Sequence, residues 1–434
     1  MRASLVWLLL GAFLTPALQS QTEDAPALDG YVTRTASNSD FDVDGVRVVC
    51  NGVEYLPPGT VRSGVNPPIS CPAQTPFLGE HLAIYGVEDA QGRSAYATRI
   101  EIRPPKQGFF FGSAVIDAIP PQETSAAPPP GLLVRADGRR ISLTSRTKIE
   151  WAPPLRSLAD VKAGDWIKYK GKPDASGVLI AESARIGPNE IGNDEEKLRA
   201  KNEFDPASVP AGAKQNLVKD AFDMGYDPKQ FSPYENAAMQ ARIEKIGDSL
   251  VPAYQRALPD SDAARIQFRF HLVDNKHFCG MMPCDVFALP SGVILIPHQV
   301  VERMQNDSQL AAVLADAIAR TMEKQDFRTQ SKRKAAMVAG VAGAFVPFAG
   351  PMIATEGMSA EGNILLREQH QSGRVSLSLL HDAGYDIDQA PIAWWLLASR
   401  KPQPISEIDI PDRAGYLYRI LGELWHNPSL NPPH

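Results

Sequence analysis

Cysteine is scarce in this chain: four occur in 434 residues, at Cys50, Cys71, Cys279 and Cys284. With no CxxC pair and no histidine cluster beside them, zinc is a poor use for these thiols. A basic excess is also missing, since 44 Lys and Arg stand against 50 Asp and Glu, a net charge of -6. Such a field does not gather a polyanion, so nucleic acid is not an expected partner. Long hydrophobic runs are few. The first, Leu5 to Leu14 after Arg2, covers about ten residues and leads into small or polar residues from Pro16 to Ser20. It is too short to span a bilayer, which takes about 20 residues, and has the form of a secretory signal peptide over residues 1–20, with no cysteine nearby for a lipid anchor. What is present is a 44% hydrophobic composition, enough for ordinary cores. At roughly 150 residues per domain the length corresponds to about three domains.

Export, periplasmic or fully secreted, would place the four cysteines in an oxidising compartment. Three pairings are open to four cysteines. Cys50 with Cys71 and Cys279 with Cys284 are favoured, because each pair is local and falls within one expected domain. The first would close a loop worth about 3 kcal/mol in the chain-entropy description.

Two early segments read as strands and resemble each other. DFDVDGVRVVCNG followed by LGEHLAIYGVEDAQGRSAYATRIEI is echoed by GLLVRADGRRISL followed by AGDWIKYKGKPDASGVLIAESARI. Gly79, Glu80, Leu82 and Gly86 correspond to Gly164, Asp165, Ile167 and Gly171 at one offset. Period-two alternation with Gly and Asp turns predicts half-buried antiparallel strands. The expectation is a tandem pair of small antiparallel β-barrels, OB-like in character, over residues 30–104 and 108–187. Trp151, Trp166 and Tyr169 could stack a ligand, but buried packing is the commoner use of aromatics in small barrels. Proline should hold the loop PPQETSAAPPPG, Pro120 to Gly131, extended. Residues 188–230 are charged and read as a linker with a solvated helix.

A helical pattern begins after Ser232 and Pro233, with Ala237, Ile243, Ile246, Leu250 and Tyr254 near one face and Ser232 with Glu235 as a capping box. A strand (RIQFRFHLVD), a hairpin (DVFALPSGVILI), the helix LAAVLADAIARTMEKQ from Leu310 to Gln325, an apolar stretch and a second helix REQHQSGRVSLSLLHDAGYDID from Arg367 to Asp388 follow.

These three ordered blocks, hairpin, helix and second helix, resemble the gluzincin zinc metallopeptidases of the HtpX and BepA type over about Tyr234 to Leu424. The family forms read roughly NAFALPGGYIYV, LAAVLGHEIAHVTARH and REQELEADRLGLELLARAGYDP. The resemblance implies an α+β chain: a mainly helical gluzincin-like domain with a small β-sheet over residues 231–434, preceded by the two barrels. It also implies zinc on the HExxH helix, with a third ligand from a Glu on the second helix. Here Asp316, Ala317 and Arg320 stand where the pattern has His, Glu and His. Counting back from Ala383-Gly384-Tyr385-Asp386 places Gln371 at the ligand Glu. The family's tail carries a His-Pro pair and a later Arg; Pro402 and Arg413 could correspond, but Lys401 precedes the proline.

The chemistry of HExxH needs two imidazoles on one helical face and a carboxylate to take a proton. Asp316 is a lone hard ligand, Arg320 is permanently cationic, Gln371 is a weak neutral ligand and Ala317 accepts no proton. The expectation is no catalytic residue, no metal and no cofactor, with Asp316 and Arg320 forming an i,i+4 ion pair in the former metal cavity. The leading reading is an exported pseudopeptidase that binds a polypeptide or an envelope protein partner, through Leu289, Pro290, Ser291, Gly292 and Val293 as an edge strand. One alternative is an active zinc endopeptidase of envelope protein quality control, its site rebuilt around His370; the other is a structural or adhesive envelope protein. The stretch from Ala335 to Ala354, edged by Lys332, Arg333 and Lys334, is read as a buried or peripheral membrane-touching hairpin, because its Gly and Pro content suits a spanning helix badly.

Overall fold

The computed structural model describes residues 25–50, 71–104, 108–120, 131–208, 231–274, 285–329, 350–399, 402, 404, 405 and 408–426. The expected signal peptide over residues 1–20, the loop 121–130, Cys279, Cys284 and the apolar stretch up to residue 349 lie outside these.

The first barrel comprises β1 (Leu28–Ser37), β2 (Asp40–Val43), β3 (Val46–Val49), β4 (His81–Glu88) and β5 (Ser94–Ile102). They close in the order β1-β2-β3-β5-β4, with Gly30 opposite Leu82 where β4 returns to β1. The second barrel repeats this path with β6 (Phe110–Ala118), β7 (Gly131–Ala136), β8 (Arg139–Thr144), β10 (Trp166–Pro173) and β11 (Leu179–Gly187), while β9 (Lys148–Trp151) lies outside the ring beside β11. The expectation of purely antiparallel barrels is corrected at one seam in each. β3 pairs with β5 in parallel, and β8 with β11. After its third strand the chain crosses over instead of turning in a hairpin, and a parallel seam needs such a crossover.

The repeated glycines explain why the two copies share a shape. Gly79 and Gly164, with φ of +83° and +98°, each stand just before the fourth strand. Gly86 and Gly171 each sit at a register shift between the fourth and fifth strands. Such bulges bend a strand around a small barrel. Alternation then buries Val32, Phe41, Val43, Leu82 and Ile84 in the first core and Ile116, Ile141, Leu143, Ile167 and Ile186 in the second. Cys50 and Cys71 form a disulfide at the first core, their Cα atoms 5.1 Å apart.

The third region is helical around a four-stranded sheet. Its elements are α1 (Asn193–Lys201), β12 (Ser232–Pro233), α2 (Ala237–Leu250), α3 (Ala253–Ala257), β13 (Arg269–Asp274), β14 (Phe287–Ala288) and β15 (Val293–Pro297). After these come α4 (His298–Arg303), α5 (Asp307–Met322), α6 (Gly350–Asp382), α7 (Gln389–Ala398) and α8 (Asp412–Leu421). The sheet order is β12-β13-β15-β14, with β13 and β15 parallel. Ser232 and Pro233 pair with Asp274 and Val273, so they are strand and not a capping box. Asn236 caps α2 instead, accepting from the Met239 N–H at 3.1 Å.

Two further expectations change. The linker helix α1 is docked: Glu195 is 3% exposed and ion-paired to Arg199 within the helix and to Lys324 of the helical region. The barrels also pack against that region. Val115, Tyr31 and Trp166 contribute to its core, and Arg374 of α6 donates to the Asp137 carbonyl at 3.1 Å and pairs with its carboxylate. Arg135 bridges Asp117 of its own barrel, at 2.8 Å, to Asp382 at the end of α6. Among the described residues no helix is long and apolar enough to cross a membrane.

Candidate functional site

Helix α5 is fixed at its start by Asn306, whose side chain accepts from the Gln309 N–H at 2.9 Å, and by Asp307 in the first turn, where a negative charge suits the helix dipole. Leu310, Val313, Leu314, Ala317 and Ile318 are all buried, and its many alanines let neighbours approach closely. Residues i and i+4 share a face. That face carries Asp316 and Arg320.

Asp316 is 0% exposed. Its Oδ2 accepts from Arg320 Nε at 2.7 Å and also meets the guanidinium of Arg413, delivered from α8. Asp285, just before β14, lies 3.3 Å from Arg320 and 3.6 Å from Arg413, so two carboxylates and two guanidiniums form one cluster. Arg413 also lies over the ring of Trp394, 3.2 Å from its centre, an arrangement that holds a desolvated guanidinium. Burial alone would raise the pKa of Asp316, but Arg320, Arg413 and the nearby Ser372 hydroxyl outweigh it and hold the carboxyl below its ordinary value. Asp316 is therefore an anion locked between cations.

Gln371 lies elsewhere than the ligand count places it. Its Nε2 donates to the Ser113 carbonyl of the second barrel at 3.0 Å and lies 3.3 Å from Glu323, while its Oε1 accepts from Arg328. The residue beside Asp316 is Ser372, about 100° further round α6. Glu323 is fully buried where α5 ends, and burial pushes its pKa well above the ordinary value, with Asp137 adding to the effect. His370 stacks on Tyr416 at 3.7 Å between ring centres. Burial, followed by Arg374 and Arg419, pushes its pKa down to about 4. Cations on that side oppose a metal ion as they oppose a proton.

The residues do not fit a zinc ion of the HExxH type. One oxygen of Asp316 already faces two guanidiniums; Oδ1 alone lacks a hydrogen-bond partner among the described residues, and a single oxygen is not a ligand set. Ala317 offers no acceptor for a proton. No group of three or more His, Cys, Asp or Glu suited to a metal occurs among the described residues.

The proposed edge strand takes another form. Leu289 to Gly292 make a tight turn, closed by the Gly292 N–H to the Leu289 carbonyl at 2.9 Å. Val293 begins β15, inside the sheet. Pro290 borders a small pocket shared with α1, and Ser291 donates to the Asn202 carbonyl at 2.8 Å, so the docked linker covers this turn. The barrel aromatics are likewise engaged. Tyr169 is buried and donates to Asp137 at 2.6 Å, Trp166 donates to Ser113 at 2.7 Å, and Trp151 packs against the barrel core.

Arg413, Asp285, Trp394 and Ser372 are the members of the cluster that the motif spacing does not single out. Arg413 had one signal, its correspondence to the late Arg of the resemblance. No protein-family model matches the sequence, and no curated protein matches it.

Proposed function

We propose that this chain is a metallopeptidase-like protein that no longer hydrolyses peptides, and that it acts by binding a polypeptide or a partner protein in the cell envelope. The observation that carries this reading is the cluster of Asp316 with Arg320 and Arg413. In the gluzincin resemblance these positions hold a zinc ligand, a second zinc ligand and a late arginine. Here a salt bridge takes the place of the metal, and Ala317 takes the place of the base.

The disulfide between Cys50 and Cys71 supports an oxidising compartment, in keeping with export to the periplasm or beyond. Binding by strand addition has little room at the outer strand β14, which is two residues long. A partner would therefore draw its affinity mainly from side-chain contacts. The test is a pull-down from an envelope fraction and a peptide library, run with the wild type and with Asp316→Ala. Specific recovery by the wild type supports the reading; recovery no better than an unrelated exported protein refutes it.

A further inference from the structure

A cavity of about 280 Å³ lies where the second barrel meets the helical region, bordered by Arg139, Arg140, Ser378, His381 and Trp425. It is separate from the Asp316 cluster and shares no residue with it. Arg139 enters it from the start of β8, after the tight turn in which Asp137 and Gly138 both have positive φ.

Arg139 is 8% exposed, and among the described residues it makes no side-chain hydrogen bond and no direct ion pair; its guanidinium lies over the ring of Phe110, 4.4 Å from the centre, and Asp137 attracts it only from beyond pairing distance. Its neighbours are otherwise paired. Arg135 is held by Asp117 and Asp382, and Arg374 by Asp137. Among the described residues, Asp117, Asp382 and Asp137 are thus each paired with another guanidinium, and Arg374 adds like charge beside Arg139. Ser378 in the same wall is fully buried, with a hydroxyl that has no hydrogen-bond partner among the described residues.

A desolvated guanidinium that shares its nearest carboxylate, Asp137, with Arg374 and forms no ion pair of its own gains from a further counter-charge. Arg140 adds a second cation at the exposed side, His381 can donate from its ring, and among the described residues no acidic side chain borders the space. The size also matters. At roughly 30 Å³ per water the cavity would hold about nine waters, more than a bare oxyanion fills. The apolar surface of Leu424 and Trp425 gives the remainder of a ligand something to lie against.

We infer that this cavity is a binding site for a small organic oxyanion, a phosphate ester or a carboxylate. Its charged head would meet Arg139 and its body would lie against Trp425. Arg139 recognises either head group, since a guanidinium presents paired donors to both.

The test is a thermal-shift and calorimetric titration of the full-length chain with inorganic phosphate, glucose 1-phosphate and succinate, each against sodium chloride at matched ionic strength. Saturable binding by the wild type, weakened about tenfold or more in Arg139→Met and several-fold in the exposed variant Arg140→Ala, supports the site. A preference for the phosphates or for succinate assigns the head group. Tighter binding of glucose 1-phosphate than of phosphate supports the apolar wall. If Arg139→Met does not fold, Arg140→Ala with Trp425→Ala carries the comparison. No saturable binding by the wild type, or equal binding by wild type and variants, overturns the inference.

Discussion

Replacing Asp316 with alanine removes the anion of the central cluster and leaves its cations in place. At 2.7 Å the attraction of Asp316 for Arg320 is about 6 kcal/mol at an effective dielectric near 20. Taking each charge out of water costs several kcal/mol, so the intact cluster contributes little net stability. One-sided removal is different. Arg413, with its side chain 11% exposed, loses its nearest anion and keeps its desolvation, while Asp285 lies farther off at 3.6 Å. The expected loss for Asp316→Ala is about 3 to 5 kcal/mol. An exposed i,i+4 pair would lose only about 0.3 to 0.5 kcal/mol. Urea unfolding followed by tryptophan fluorescence measures the difference, and Trp394, under Arg413, reports from the cluster itself. The variant Asp316→Leu, Arg320→Met, Arg413→Met should regain most of the loss, because similar volume without charge avoids the desolvation of three of the four charges and leaves Asp285, with its side chain 37% exposed, to solvent. A loss below about 1 kcal/mol in Asp316→Ala, or no recovery in the triple variant, would mean that Arg413 does not depend on Asp316 as its buried counter-ion.

Other outcomes follow from the same geometry. Restoring zinc should require Ser372→Glu and not Gln371→Glu: added to Asp316→His, Ala317→Glu and Arg320→His, only the former should bring the metal content of the purified protein near one zinc per chain. His370 has a folded pKa of about 4, below its unfolded value near 6.5, so between these values the unfolded chain binds the extra proton. Its contribution is complete above about pH 6.5 and is lost as pH falls toward 4, so His370→Gln should flatten the fall of the urea midpoint across that window. Replacing Cys50 and Cys71 by serine opens a loop of 21 residues' separation and should lower the stability of the first barrel by about 3 kcal/mol, read by hydrogen exchange at Val32 and Leu82.

The barrels were legible because period-two alternation and paired glycines are local signals. Gly79 and Gly164, or Gly86 and Gly171, need only their own turn or bulge to be read. The parallel seams were not legible, since the crossover that makes β3 meet β5 leaves no mark in either strand's alternation. Docking was hidden for a similar reason: Glu195 reads as one more charge on a polar helix until Lys324, far along the chain, neutralises it. At the site, the i,i+4 spacing of Asp316 and Arg320 was sufficient to place them on one face. Arg413 and Asp285 reach that face only through tertiary packing. Gln371 and Ser372 differ by one residue, and that difference, about 100° on a helix, decides which side chain meets α5 and which meets the barrel.

In the proposed function the Asp316 cluster stands where the gluzincin resemblance places a catalytic zinc. Metal analysis of the purified full-length chain, together with cleavage of unfolded polypeptide substrates, distinguishes the cluster from a zinc site. Zinc should stay well below one per chain with no cleavage above a protease-free control, and Asp316→Ala and His370→Gln should change neither. Stoichiometric zinc that is lost, together with cleavage, on replacing Asp316 or His370 would contradict the proposed function.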